Sequence, residues 1–128
     1  MSDNIRLSDY LDHIQQAACD AYSFVSGMDK AQFLADKRTQ SAVVMSLVIM
    51  GEASTKVMDR HPEFAQQHAG IPWRSMRGMR NRIAHGYFEI DLDLVWDTVQ
   101  TALLDQLNKN TRAVRQRRHR PWSLFKFA

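Results

Sequence analysis

Apolar side chains recur along the first part of the chain at Leu7, Leu11, Ile14, Ala18, Ala21, Val25 and Met28, an alternating four–three spacing. Residues three and four apart share one face of an α-helix, so this is a heptad seam, and Tyr10, Ala17 and Phe24 fill it out. The pattern predicts a long amphipathic helix from Arg6 to about Met28, with Gly27 as its stop signal. Asp29 and Gln32 stand at capping-box spacing and predict a short helical turn that buries Phe33 and Leu34. A second long helix is predicted from near Asp36 to about Asp59. Its middle, Ala42–Met50, is apolar nearly all round, the pattern of a helix at the buried centre of a bundle. Gly51 follows as a point of close helix packing. Glu52 reads either as a surface charge just beyond the buried part or, set against an apolar run, as a carboxylate that needs a partner, because burying one alone is expensive.

His61-Pro62 breaks that helix, since proline disfavours helical geometry in the residue before it. Residues 63–71 form a short helix or loop closed by Gly70. Pro72 starts a third helix that carries Trp73, Arg74, Met76, Arg77, Met79, Arg80 and Ile83 and stops at Gly86. Asp91 and Asp93 suit the N-terminus of a fourth, where carboxylates meet the positive end of the dipole; its stripe is Leu92, Val95/Trp96, Val99, Leu103 and Leu107. Beyond Asn108 the pattern thins. The sum is an all-α fold, an antiparallel bundle of four main helices with short connecting ones. One domain is expected over residues 1–110, with a basic and aromatic tail over 111–128.

Composition agrees. The 128 residues contain five Gly and three Pro, too few for turn-rich β structure, and 45% apolar with 24% charged residues argues against overall disorder. Cys19 is the single cysteine, which excludes an intramolecular disulfide and suits a reducing compartment. Met1–Asn4 has no basic or apolar leader character, and Ala42–Met50 is too short to span a bilayer, so a cytoplasmic, membrane-free protein is expected. The net charge of +3 hides an asymmetry. All fourteen acidic residues lie within 1–105, alongside ten Lys/Arg, whereas 106–128 holds seven Lys/Arg and no acid. A basic end on an acidic body favours a polyanion or an acidic partner surface.

The densest chemistry is in Met79–Phe88. Arg80 offers a planar fork of donors for phosphate, and His85 can move protons near neutral pH. In RNA the neighbouring 2′-OH is the nucleophile, so neither activated water nor a metal is required. His85 would take the 2′-OH proton or give one to the leaving 5′ oxygen, and Arg80 would stabilise charge on the phosphate oxygens. Asn81, an i,i+4 neighbour of His85, would orient it or the phosphate, and Tyr87 would supply a hydroxyl or a stacking face. Arg77 and Arg82 flank the segment as candidate RNA contacts. On a straight helix, however, Arg80 and His85 differ in azimuth by about 140°. Either the helix ends or distorts near Ala84–Gly86, or two subunits contribute. An arginine-rich amphipathic helix with a surface histidine is the structural alternative. His13, His61, His68, His85 and His119 lack metal-ligand spacing, so no metal or other cofactor is expected. Arg112, Arg115, Arg117 and Arg118 in the tail have three readings: a solvated end, a dock for an acidic partner, or an arm on the RNA backbone with Trp122, Phe125 and Phe127 available to stack on bases.

Gly51-Glu52-Ala53, Ile71-Pro72-Trp73-Arg74 and Gly78–Phe88 together resemble the HepT-like toxins of HepT–MntA toxin–antitoxin pairs, within the HEPN group. Asp91–Trp96 continues the likeness, which covers most of residues 5–107. Arg80, His85 and Tyr87 match the family's R-x4-H-x-Y motif in full. The resemblance implies a HEPN-like bundle that forms a homodimer, with Arg80 and His85 of each subunit lining a cleft near the interface. It implies a type VII toxin, a metal-independent ribonuclease acting on tRNA or mRNA. It also implies an MntA-type minimal nucleotidyltransferase antitoxin that silences the toxin by transferring AMP to Tyr87. The competing class is a non-catalytic nucleotide- or RNA-binding subunit that serves a partner nucleotidyltransferase. The basic tail departs from the family pattern by being longer and more basic.

Overall fold

The computed structural model describes residues 3–102. Helix α1 spans Asp3–Phe24. Its seam residues Leu7, Leu11, Ile14, Ala17, Ala18 and Ala21 are all buried, and Val25 continues the line beyond the last turn. Phe24 departs from expectation: it is exposed, because it lies off the seam where no other helix covers it. Gly27 adopts φ +79°, the left-handed conformation that favours glycine, and turns the chain back.

Helix α2 (Lys30–Ala35) begins on the expected capping box. The Gln32 N–H donates to Asp29 Oδ1 at 2.8 Å, and the Asp29 N–H donates to Gln32 Oε1 at 2.8 Å. Phe33 enters the core and meets the Trp96 ring at 5.4 Å between centroids. Leu34 does not follow it and is exposed. Successive helical residues point about 100° apart, and a six-residue helix lying on the bundle buries one side only.

Helix α3 (Lys37–Arg60) is the axis of the fold, with α1 packed along one side and α5 (Trp73–His85) along another. Asp36 starts it by accepting from the Thr39 N–H at 3.2 Å and the Thr39 hydroxyl at 2.9 Å, two bonds that hold its carboxyl below the usual value. By length and composition α3 could cross a membrane, yet half of its most apolar stretch is buried inside the bundle, as befits a core helix. Val43, Val44, Leu47, Met50 and Val57 are buried. The expectation of a centre buried all round fails at Met45 and Ile49, which are 58% and 40% exposed. Among the described residues, α1 and α5 cover two sides of α3 and no helix covers the third.

Helix α4 (Pro62–Gln67) buries Phe64 and Ala65. The Trp73 indole N–H is shared between the carbonyls of Ala65 at 3.1 Å and His68 at 3.2 Å, which fixes the start of α5 to the α4 segment. After α5 comes a tight turn at Tyr87–Glu89. Helix α6 (Leu92–Asp97) is capped by Asp91 and runs on into a wider π-type segment, Thr98–Ala102. Val95 and Val99 from this element are buried, and the Lys30–Asp93 ion pair at 3.0 Å ties it to the start of α2. Every element among the described residues is helical, so the all-α expectation holds. Leu103, Leu107 and the tail lie outside the described residues.

One contact sets the spacing of α3 and α5. A Cβ on Gly51 would collide with the Cβ of Arg80 and stand 2.7 Å from the Met76 carbonyl oxygen. A Cβ on Gly78, also on α5, would meet nothing within 4 Å. Gly51→Ala should therefore destabilise the fold by about 1–3 kcal/mol through overpacking. Gly78→Ala should stabilise it by about 0.4–1 kcal/mol through unfolded-chain entropy and helix propensity. Urea unfolding of both variants reads the contrast, and equal effects would discard the close-packing account.

Candidate active site on helix α5

Helix α5 carries distinct stripes, set by 3.6 residues per turn. Trp73, Met76, Arg80 and Ile83 face α3. Trp73 and Ile83 are buried, and the Ser54 hydroxyl donates to the Met76 sulfur at 3.5 Å. Arg80 thus roots its stem on Gly51, while its guanidinium extends past the apolar contact to Glu52. Nη2 lies 2.5 Å from Glu52 Oε1, and Nη1 donates to Asn81 Oδ1 at 3.1 Å. Glu52 is exposed and still pairs with Arg80.

A neighbouring stripe, spaced four, three and four residues apart, contains Arg74, Gly78, Asn81 and His85, with Arg77 beside it. Arg74, Asn81 and His85 are exposed, Arg77 is half-buried, and Arg82 is exposed further round the helix. Helix α5 stays regular to its end, since the Gly86 N–H still donates to the Arg82 carbonyl at 2.9 Å. The helix does not distort to bring the pair together. Helix α5 ends at His85, where Gly86 caps it, and up to that end the backbone positions of Arg80 and His85 stand about 140° apart and about 7.5 Å apart along the axis. The Asn81 side-chain oxygen accepts from Arg80.

Tyr87 is 54% exposed on the turn after α5, with the fully exposed Phe88 ring at 6.0 Å. Both line a hollow of about 240 Å³ with Lys37, Gln40, Ile90 and Leu92. Among the described residues no three His, Cys, Asp or Glu side chains cluster as metal ligands would. The tail arginines Arg112, Arg115, Arg117 and Arg118 lie outside the described residues.

Two features escaped the sequence reading. Met45, Ile49 and Glu52 follow one another at four- and three-residue spacing, so the exposed apolar stripe of α3 leads directly into the Glu52–Arg80 pair. That spacing was visible, but the side left uncovered depends on where α1 and α5 pack. The second is Arg74, which lines a cavity described below and carries no signal beyond its place in an arginine-rich helix.

Comparison with known proteins agrees with the motif. Residues 9–114 match the family described as Ribonuclease HepT-like. The protein named "Probable ribonuclease HepT" from Thermococcus cleftensis is 39% identical over 92 residues, covering 72% of this chain and 81% of the relative. A protein from Caldanaerobacter subterraneus subsp. tengcongensis, named as a candidate RNase, is 32% identical and covers 84% of this chain and 93% of the relative. Another so named, from Methanocaldococcus jannaschii, is 34% identical and covers 71% and 81%. No solved structure gives a significant match. The chain belongs to the HepT-like ribonuclease family.

The Glu52–Arg80 pair is partly solvated, with side chains 48% and 36% exposed, so in a single chain it contributes at most about 1 kcal/mol. Glu52→Gln should lower the unfolding free energy, measured in urea, by no more than that. A loss of about 3–5 kcal/mol would instead mean that the pair is buried in an assembly.

Proposed function

We propose that this member of the HepT-like ribonuclease family is a toxin that cleaves cellular RNA without a metal, in a cleft shared by two copies of the chain. The observation that carries the shared cleft is the Met45–Ile49 stripe, which runs into the Glu52–Arg80 pair while a regular α5 aims His85 elsewhere. An apolar stripe of this kind favours burial against a like surface, and twofold pairing would bring the Arg80 of one copy to the edge of the contact. The missing proton-transfer group then comes from the His85 of the second copy.

In the cleft the 2′-oxygen attacks the adjacent phosphorus. The O2′–P bond forms, the P–O5′ bond breaks, and the products are a 2′,3′-cyclic phosphate and a 5′-hydroxyl end. His85 accepts the 2′-OH proton or delivers one to the 5′ oxygen. Arg80 stabilises the charge that builds on the phosphate oxygens. Asn81 holds the Arg80 fork in place. Arg77 and Arg82, with Arg112, Arg115, Arg117 and Arg118 of the tail, neutralise phosphates of a tRNA or mRNA strand. The protein works in the cytoplasm, and its antitoxin is an MntA-type nucleotidyltransferase that transfers AMP to Tyr87. The exposure of the Tyr87 ring on a turn beside the motif supports that role.

A second reading, a non-catalytic RNA- or nucleotide-binding subunit for a nucleotidyltransferase, draws on the engagement of Arg80 by Glu52 and Asn81. Substitution separates the two. His85→Ala should abolish RNA cleavage that persists for wild type in chelator, and retained cleavage would place the chemistry elsewhere. An equimolar mixture of Arg80→Ala and His85→Ala chains should regain roughly a quarter of wild-type activity by random pairing, because each mixed dimer rebuilds one intact cleft. No recovery would reject the cross-subunit assignment. Co-expression with the antitoxin should add AMP mass to wild type and none to Tyr87→Phe; equal labelling of both moves the modification to another residue.

A further inference from the structure

We infer that the cavity of about 580 Å³ between the end of α3, helix α4 and the start of α5 is a subsite for one nucleotide of the RNA strand, away from the bond that is cut. The inference rests on the ribonuclease reading above. The cavity has an apolar wall that includes Met58, Ile71, Pro72 and Trp73, and its α5 side is formed by Arg74 and Arg77. Of the four arginines on α5, only Arg80 has an ionic partner among the described residues. Unpaired guanidiniums beside a preformed hollow with polar and apolar walls match the two halves of a nucleotide, an anionic phosphate and a base with both a flat face and polar edges.

Trp73 makes the wall rigid. The residue is buried and its one donor is engaged by the Ala65 and His68 carbonyls, so the indole is held in place from behind and leaves no unpaired donor in the wall. Asp59, on the α3 side, is the acidic group of the lining. It repels phosphate and can accept from a ribose hydroxyl or a base amino group, which orients the phosphate toward Arg74 and Arg77.

The cavity lies along the strand's route from the motif. At a rise of 1.5 Å per residue, Arg77 and Arg74 stand about 12 Å and about 16 Å from His85 along α5. The stripe His85–Asn81–Gly78–Arg74 is one continuous face of α5 that leads from His85 to Arg74. A strand cut at His85 and laid along α5 reaches the cavity with a neighbouring nucleotide, not with the reacting one.

The test is steady-state cleavage of single-stranded RNA by the full chain carrying Arg74→Gln or Ala69→Phe. The first removes a charge; the second fills the cavity from Ala69, an exposed lining position. KM should rise about tenfold in each, the loss of one charge-assisted or stacking contact, with kcat held within about twofold. A scan of single abasic nucleotides along the RNA should raise KM at one position at a fixed distance from the cut for wild type, and at none for Ala69→Phe. Should Ala69→Phe fold poorly, the exposed Arg74→Gln carries the same KM reading. Wild-type cleavage with KM unchanged in both variants, or a flat abasic scan of wild type, overturns the subsite and leaves the ribonuclease reading standing. No cleavage of any RNA by wild type overturns that reading and the subsite with it.

Discussion

The close approach of α5 to α3 at Gly51 is the constraint from which the rest follows. With no Cβ at Gly51, the stem of Arg80 lies against the α3 backbone and the Met76 carbonyl comes into contact distance. That approach places the Arg80 guanidinium beside Glu52, one residue on from the glycine. It also fixes the rotation of α5 about its own axis. Once Trp73, Met76 and Ile83 face α3, the stripe of Arg74, Asn81 and His85 has to face outward, on a different side of α5 from Arg80. A single packing decision therefore both builds and divides the motif.

The same geometry distributes the rest of the surface. Helix α3 has enough apolar residues for three sides, while α1 and α5 cover only two, so Met45 and Ile49 are left in solvent next to the ion pair. At the other end of α5, the Trp73 indole is clamped by carbonyls of the α4 segment, and the gap between these elements becomes the cavity on which Arg74 and Arg77 open. The motif thus sits between an uncovered apolar stripe and a cation-lined hollow.

What the sequence determined by itself is whatever depends on near neighbours. The capping box of Asp29 and Gln32, the Asp36 and Asp91 caps, the Gly27 turn and the Gly86 stop are hydrogen bonds or backbone conformations closed within a few residues, and each stands where the residues place it. The α1 seam was equally legible, because a heptad repeat needs only helical periodicity to form a face. Arg80, His85 and Tyr87 were legible as a motif through their match to the spacing of the HepT-like family, not through periodicity. Tertiary structure alone decided which apolar residues are covered, so Phe24, Leu34, Met45 and Ile49, all core-like in pattern, remain exposed. It alone paired Glu52 with Arg80 across 28 residues and set the Asn81 oxygen on the Arg80 guanidinium. Periodicity fixes the direction of a side chain relative to its own helix, but its partner depends on where another helix lies, and here that was settled by the space a glycine leaves open.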